Sequence, residues 1–235
     1  MMDRNLGATS ATPGDVGALG LMYQWGRKDP FMGASSISSK ELAASTGTWN
    51  ITSGGSAAKT EMNPTTYYTH MYLSSGSWLP TKTAYDPCPA GWRVPEGGEY
   101  GVWAKALGTS NSDLVMSGDY TNWGMNFTGK YGDAETIWYP FSGYRDGSGA
   151  LKKTYTTQGG RVSGYNYYWS CSAPVGTSIA YMLSFNDSFV SPSDDESRYS
   201  AGTVRCVKDV TGETGPAALG SNMESIDNSK TAQEW

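Results

Sequence analysis

The chain of 235 residues has a single histidine, His70, and three cysteines, Cys88, Cys171 and Cys206, with no CxxC pair among them. A structural zinc site draws four ligands from closely spaced Cys and His, so this set leaves almost no room for one. A cysteine or serine nucleophile activated by histidine would depend on His70 alone. Charge is sparse as well: 17 % of residues are charged, and 17 Lys and Arg stand against 22 Asp and Glu for a net charge of −5. Without a basic run the chain lacks the electrostatic footprint of a nucleic-acid binder, and no nucleic-acid partner is expected. No apolar stretch approaches the roughly 20 residues of a membrane span, so direct membrane insertion is not expected either. The first residues, MMDRNLGATS, show no basic-then-apolar leader pattern and read as though taken from within a longer polypeptide.

What the chain does have is glycine (30), tyrosine (16) and tryptophan (9), over a hydrophobic share of only 38 %. This is the composition of a loop-rich fold that buries aromatic rings and turns on glycine, not of a helical bundle. The length fits one domain with long insertions. Tyr23 and Trp25 alternate with polar neighbours in a short strand ending at Gly26. Residues 33–60 are Ser-, Gly-, Ala- and Thr-rich and read as a surface excursion. Residues 63–79 read as irregular structure pinned by Tyr67, Tyr68, Tyr72 and Trp78.

A helix is predicted over Glu96–Leu107, with Tyr100, Trp103 and Leu107 on one face, Gly97 and Gly98 weakening its first turn, and Gly108 ending it. Strands follow: IWYPF with Ile137, Tyr139 and Phe141 in phase, a turn at Gly143 and Gly147–Gly149, then YYWSCSA, IAYMLSF and GTVRCVKD. In IAYMLSF the inward face is taken as Leu183 and Phe185, with Ser184 and Asn186 outward. In GTVRCVKD, Val204 and Cys206 share a face opposite Arg205 and Val207. Residues 210–235 are polar and punctuated by Gly and Pro, and read as a linker or tail. One helix followed by short strands and long loops places the chain in the α+β class.

Five strings carry a resemblance: MDRNLGA, YQWGRKDPF, YDPCPAGWRVP, YWSCSA and GTVRCVKD. In this order, over residues 2–209, they resemble the Fibrobacter succinogenes major paralogous domain found in surface proteins of gut bacteria. That family is similar to the C-type-lectin-like fold, shared with bacterial adhesin tip domains and with the variable proteins of diversity-generating retroelements. The resemblance implies one domain over 1–209: one or two short helices, a small twisted, mostly antiparallel sheet, and long loops. The chain departs from the family pattern at Glu96, at Gly97 and Gly98, and at Cys171.

By composition alone the cysteines allow one disulfide and one thiol, or three buried thiols. The resemblance implies that Cys88 and Cys206 lie together, joining the helix region to the closing strand. Their bridge would close a loop of roughly 100 residues or more, worth about 4–5 kcal/mol in the chain-entropy account, and it requires an oxidising compartment. The implied location is a secreted bacterial protein at the cell surface, or a phage particle. Formylglycine-generating enzymes share the lectin-like fold and use a cysteine pair with copper, and Cys171 and Cys206 could be cast so. No companion string supports that role, and the chain is read as no enzyme. Lectins of the fold often hold sugar through calcium. Here FND (Phe185, Asn186, Asp187) and SPSDDES (Asp194, Asp195, Glu196) are faint echoes that do not assemble a ligand set by spacing, so no cofactor is assigned.

The stretch from Gly164 to Arg205 separates into two vocabularies. Trp169, Leu183, Phe185, Val190, Pro192, Arg198, Gly202 and Val204 read as frame. Asn166, Tyr167, Tyr181, Ser184, Asn186, Ser188, Phe189, Ser193, Asp194, Tyr199 and Ser200 read as a ligand-binding face. Tyr gives contact area at low entropic cost and Ser and Asn give adaptable hydrogen bonds, as in antibody loops. Adenine-targeted mutation of Asn codons in retroelement-diversified proteins yields similar residues. The leading expectation is an adhesin-type domain that displays a variable face to a protein or glycan on another cell, as part of a larger surface polypeptide or pilus. The alternatives are a glycan-binding module of a polysaccharide-handling protein and a structural pilus or surface-layer subunit. An ordinary polar surface is the bland reading of the same residues.

Overall fold

The computed structural model describes residues 1–33, 50–53, 66–69, 78–108, 115–119, 122–128, 136–152, 155–156, 162–163, 165–186 and 188–210. Most of the expected excursion over 33–60, Tyr72, and the tail from 211 onward lie outside the described residues. A 3-10 turn at Val16–Ala18 is followed by β1 (Met22–Gln24), β2 (Asn50–Ser53), β3 (Thr66–Thr69) and β4 (Trp92–Arg93). Helix α1 (Val102–Leu107) precedes β5 (Val115–Asp119), β6 (Gly124–Thr128), β7 (Thr136–Pro140), β8 (Tyr144–Arg145) and β9 (Leu151–Lys152). Then come β10 (Tyr155–Thr156), β11 (Val162–Ser163), β12 (Asn166–Trp169), β13 (Ile179–Phe185), β14 (Val190–Ser197), β15 (Ala201–Thr203) and β16 (Val207–Lys208). The described architecture is therefore one short helix with small, mostly antiparallel sheets, of α+β type.

The main sheet runs β14–β13–β12–β15–β8–β9, with β1 also paired to β15. Its pairings are antiparallel except β12 with β15, where Tyr168 faces Thr203. A three-stranded antiparallel meander, β5–β6–β7, stands apart from it.

The middle of the main sheet, β12 and β13, is covered on both faces. One core joins Tyr168, Leu183, Phe185 and Val190 of the sheet to Trp103 and Leu107 of α1 and to Met125, Phe127, Tyr139 and Phe141 of the meander region. The other joins Trp169, Met182, Ala180 and Val204 to Trp25, Trp78, Val94, Cys88, Cys171 and Cys206. A strand between two cores has no solvent face, so it reads as a continuous buried run instead of an alternating one. That is the burial of β13 from Met182 to Phe185. The expectation that Ser184 points to solvent is therefore corrected: Ser184 is fully buried. A register shift in the β13–β14 pairing lies between Met182 and Ser184.

The helix is shorter than its periodicity suggested. It starts at Val102, because Gly98 takes φ 79° and Gly101 is extended at φ −74°, ψ 173°. A Cβ on Gly97 would stand 2.3 Å from the Ser170 hydroxyl, so the chain passes too close to the end of β12 for a side chain there. Tyr100 consequently precedes the helix and is 79 % exposed, while Trp103 and Leu107 are buried as expected. Gly108 ends the helix at φ 87°.

GTVRCVKD resolves into the end of β15 and the start of β16, with 204–206 irregular between them. Val204 and Cys206 enter one core, while Arg205 turns to the other side, 3.9 Å from the Tyr139 ring centre. Arg205 is 1 % exposed, so Val207 alone of this expected outward pair is accessible. The guanidinium is met by Asn5 Oδ1 at 3.0 and 3.2 Å and by the Trp138 carbonyl at 3.0 Å. Hydrogen bonds and ring faces, in place of a carboxylate, offset its desolvation.

Cys88 and Cys206 form a disulfide across a separation of 118 residues, and Cys171 is a buried free thiol. A bridge is compatible with an extracellular location. No helix among the described residues is long and apolar enough to cross a membrane. Unfolding the oxidised protein without reductant should expose one titratable thiol, Cys171. Reduction should lower the stability measured by denaturant unfolding by about 4 kcal/mol. Three thiols in material never exposed to reductant would contradict the pairing.

Candidate functional site

All eight residues assigned to the frame, from Trp169 to Val204, are buried. The residues assigned to the binding face divide. Asn166, Tyr167, Ser184 and Ser200 are buried, at 0, 7, 0 and 3 % exposure, and do not form an open display surface. Each has a structural occupation. Asn166 receives the Gly143 N–H at 2.9 Å and donates to the Phe185 carbonyl at 3.1 Å, tying β12 to the start of β8 and the end of β13. Ser184 donates to the Asp194 carboxylate. The Ser200 N–H donates to the Ser197 carbonyl at 2.9 Å, closing the turn into β15.

Two further members sit elsewhere. Tyr181 is half-buried against Gly98, ahead of α1, where a Cβ would stand 3.2 Å from its ring. Tyr199 lies against Gly147 in the β8–β9 turn. Ser193 and Asp194 are half-buried on β14.

What remains together is the hairpin joining β13 to β14. The Asn186 N–H donates to the Phe189 carbonyl at 2.9 Å, and the Asn186 side-chain oxygen accepts from the Ser188 N–H at 2.9 Å and its hydroxyl at 3.2 Å. Such an Asx turn fixes the loop without core contacts. It leaves Ser188 exposed and Phe189 38 % exposed, directly beside buried Phe185 and Val190.

The ring of Phe189 stands edge-to-face on Tyr165, 6.2 Å between centres at 88°. Tyr165 is 44 % exposed and continues to Tyr167 at 6.3 Å and 33°, which stacks on Tyr144 at 4.0 Å and 28°. Burial first, then the Tyr144 and Glu196 groups beside it, push the Tyr167 hydroxyl well above the ordinary tyrosine range. Next to this strip Asp146, which follows β8, pairs with Lys152 of β9 at 2.9 Å. In sequence neither Tyr144 nor Tyr165 stands out, and Glu196 does so only as a faint echo of a calcium ligand. The signal for Tyr165 is its i, i+2 spacing to Tyr167, just ahead of β12. Tyr144 and Glu196 join only through strand pairing.

The cysteine-pair chemistry does not survive the geometry. Cys206 is bridged to Cys88, which removes it from any pairing with Cys171. Burial pushes the Cys171 thiol up to about 12, away from the thiolate a nucleophile or metal ligand needs. Among the described residues no three His, Cys, Asp or Glu side chains converge to hold a metal ion. Of the two acidic echoes, Asp187 lies outside the described residues and Asp194 is engaged by Ser184.

Comparison with protein-family models, with curated proteins and with solved structures finds no match for this chain.

Ser184→Ala should cost about 1–2 kcal/mol by denaturant unfolding, because it removes a buried partner of Asp194. Ser188→Ala at the exposed tip should stay within about 0.5 kcal/mol. Equal effects would contradict the division between frame and tip. Alkaline pH supplies a second check. Cys171 rises from an ordinary 9.0 to about 12 in the fold, so between these values the unfolded chain releases a proton that the native chain keeps. Stability is then full below pH 9 and falls as pH rises, with a slope approaching 1.4 kcal/mol per unit for one such group. Buried Tyr168, raised to about 12, adds to the fall above pH 10. Unfolding midpoints measured at pH 8 and pH 11 should show the loss, and Cys171→Ser should reduce it.

Proposed function

We propose that this chain is an extracellular binding module of a bacterial surface protein and not an enzyme. On this reading it is a C-type-lectin-like domain related to the Fibrobacter succinogenes major paralogous domain. The supporting observation is the abrupt change at one end of the sheet: Phe185 and Val190 are sealed in the core, while Ser188, Phe189 and Tyr165 immediately beside them stand open. A polar-aromatic tip on a sulfur-bridged frame can be altered without disturbing packing. The contact vocabulary of Tyr, Phe, Ser and Asn suits recognition of a partner on another cell. The bridge of Cys88 to Cys206 agrees with residence outside the cytoplasm.

The binding face on this reading is smaller than the one first drawn from the sequence, and centres on Tyr165, Asn186, Ser188 and Phe189. If a retroelement diversifies the protein, codon changes should fall on these positions and on exposed β14 side chains, and spare Asn166, Ser184 and Ser200. A reverse-transcriptase gene with a near-copy template beside the coding sequence would be the matching genomic sign.

Adhesion tests the proposal. Beads carrying the full chain should bind a panel of bacterial and epithelial cells or arrayed surface proteins and glycans. Ser188→Arg and Phe189→Ser should reduce capture by about tenfold or more while leaving the unfolding free energy within about 1 kcal/mol. Leu183→Ala, in the frame, should instead cost about 2–5 kcal/mol of stability. Capture that persists with both tip substitutions in place would sink the assignment.

A further inference from the structure

Three cysteines can pair in three ways, and chain statistics favour a pair the fold does not use. Cys88 and Cys206 are 118 residues apart, whereas Cys171 stands at less than a third of that separation from Cys206. Loop closure falls off as about the three-halves power of loop length. An unfolded chain would therefore bridge Cys171 to Cys206 about sixfold more often than Cys88 to Cys206. Folding does not part the competitors, since all three cysteines belong to the same buried core. Some part of the fold has to present Cys88, and the loop around it shows which.

Pro87 and Pro89 have no N–H, so Cys88 carries the one backbone donor between them, and Asp86 Oδ1 accepts it at 2.8 Å. The Lys82 ammonium donates to the same Oδ1 at 3.1 Å, to the Trp92 carbonyl at 2.8 Å and to the Cys88 carbonyl. Both backbone polar groups of Cys88 are thus held by one ion pair. Asp86 Oδ2 accepts the Val94 N–H at 2.9 Å, so the same carboxylate ties the cysteine turn to the end of β4. In turn β4 pairs Arg93 with Val207, the neighbour of Cys206. The Asp86 side chain is 1 % exposed, and the hydrogen bonds that offset its desolvation all come from this loop. We propose that Lys82 and Asp86 are a pairing guide: they shape residues 82–94 before any sulfur is oxidised, set Cys88 across from Cys206, and leave Cys171 out of the bridge. Both are positioning residues that act through Cys88.

The test refolds the full chain, first reduced and unfolded, with glutathione disulfide as the oxidant. One cysteine thiolate attacks the reagent and releases a glutathione, and a second thiolate then displaces the other. Two thiols thereby pass two electrons to one glutathione disulfide. Alkylation of the remaining thiols and mass spectrometry of the digest measure each bridge. The native chain should give Cys88–Cys206 with Cys171 alkylated, while oxidation held in denaturant should favour Cys171–Cys206 about sixfold. Lys82→Met and Asp86→Ala should each raise bridging through Cys171 about fivefold or more. Adding Cys171→Ala should restore Cys88–Cys206 in both, because the competitor is gone, whereas a plain loss of stability would persist. If Asp86→Ala fails to fold and gives the denatured ratio, Lys82→Met decides, because it keeps both N–H donors to Asp86. Native pairing in Lys82→Met, or a loss of Cys88–Cys206 that Cys171→Ala does not restore, overturns the proposal.

Discussion

The arrangement depends on one constraint: β12 and β13 are covered on both sides. Tyr168 and Leu183 look into the core shared with the helix and the meander, and Trp169 and Met182 look into the core around the disulfide. With neither broad side of these strands open, what they offer to a partner is at their ends and along β14. The position of the open tip follows from this. It lies where β13 runs out into β14, and there the Asn186 side chain accepts from the Ser188 N–H while Phe189 rests on Tyr165.

Two of the buried cations are held beside the same aromatic cores. Arg198 and Arg205 occupy sites under 3 % exposed, and each is satisfied by carbonyl or amide oxygens and an aromatic face. A carboxylate in those positions would add its own desolvation cost, whereas tyrosine and tryptophan supply partial negative charge while also filling volume. At these two sites the aromatic rings act electrostatically as well as sterically.

Much of the frame was legible in the chain. The eight apolar, Pro, Gly and Arg positions read as scaffold are all buried, and the turn glycines after Phe141 fall where β8 and β9 form their hairpin. The pairing of Cys88 with Cys206 came from the likeness of short strings, because spacing alone left several arrangements open. Exposed positions are harder to read because serine, asparagine and tyrosine also serve as interior hydrogen-bonding groups. Ser184 between Leu183 and Phe185 looks outward if the strand is half-exposed, and is interior once a second core covers it. Asn166 looks like a contact residue and is a tie between strands. The helix start was misplaced because periodicity is blind to Gly98 adopting a left-handed backbone.

The disulfide also decides how load would travel through the molecule. The Met2 N–H donates to the Cys206 carbonyl and the Leu6 N–H to that of Val204, so the incoming chain is laced to the outgoing one beside the bridge. Because β15 runs parallel to β12, this laced pole sits beyond Trp169, and the β13–β14 hairpin sits at the other end of the strands. Tension applied through residues 2 and 208 would therefore be borne across neighbouring segments at one pole. The opposite pole would keep its shape under pull.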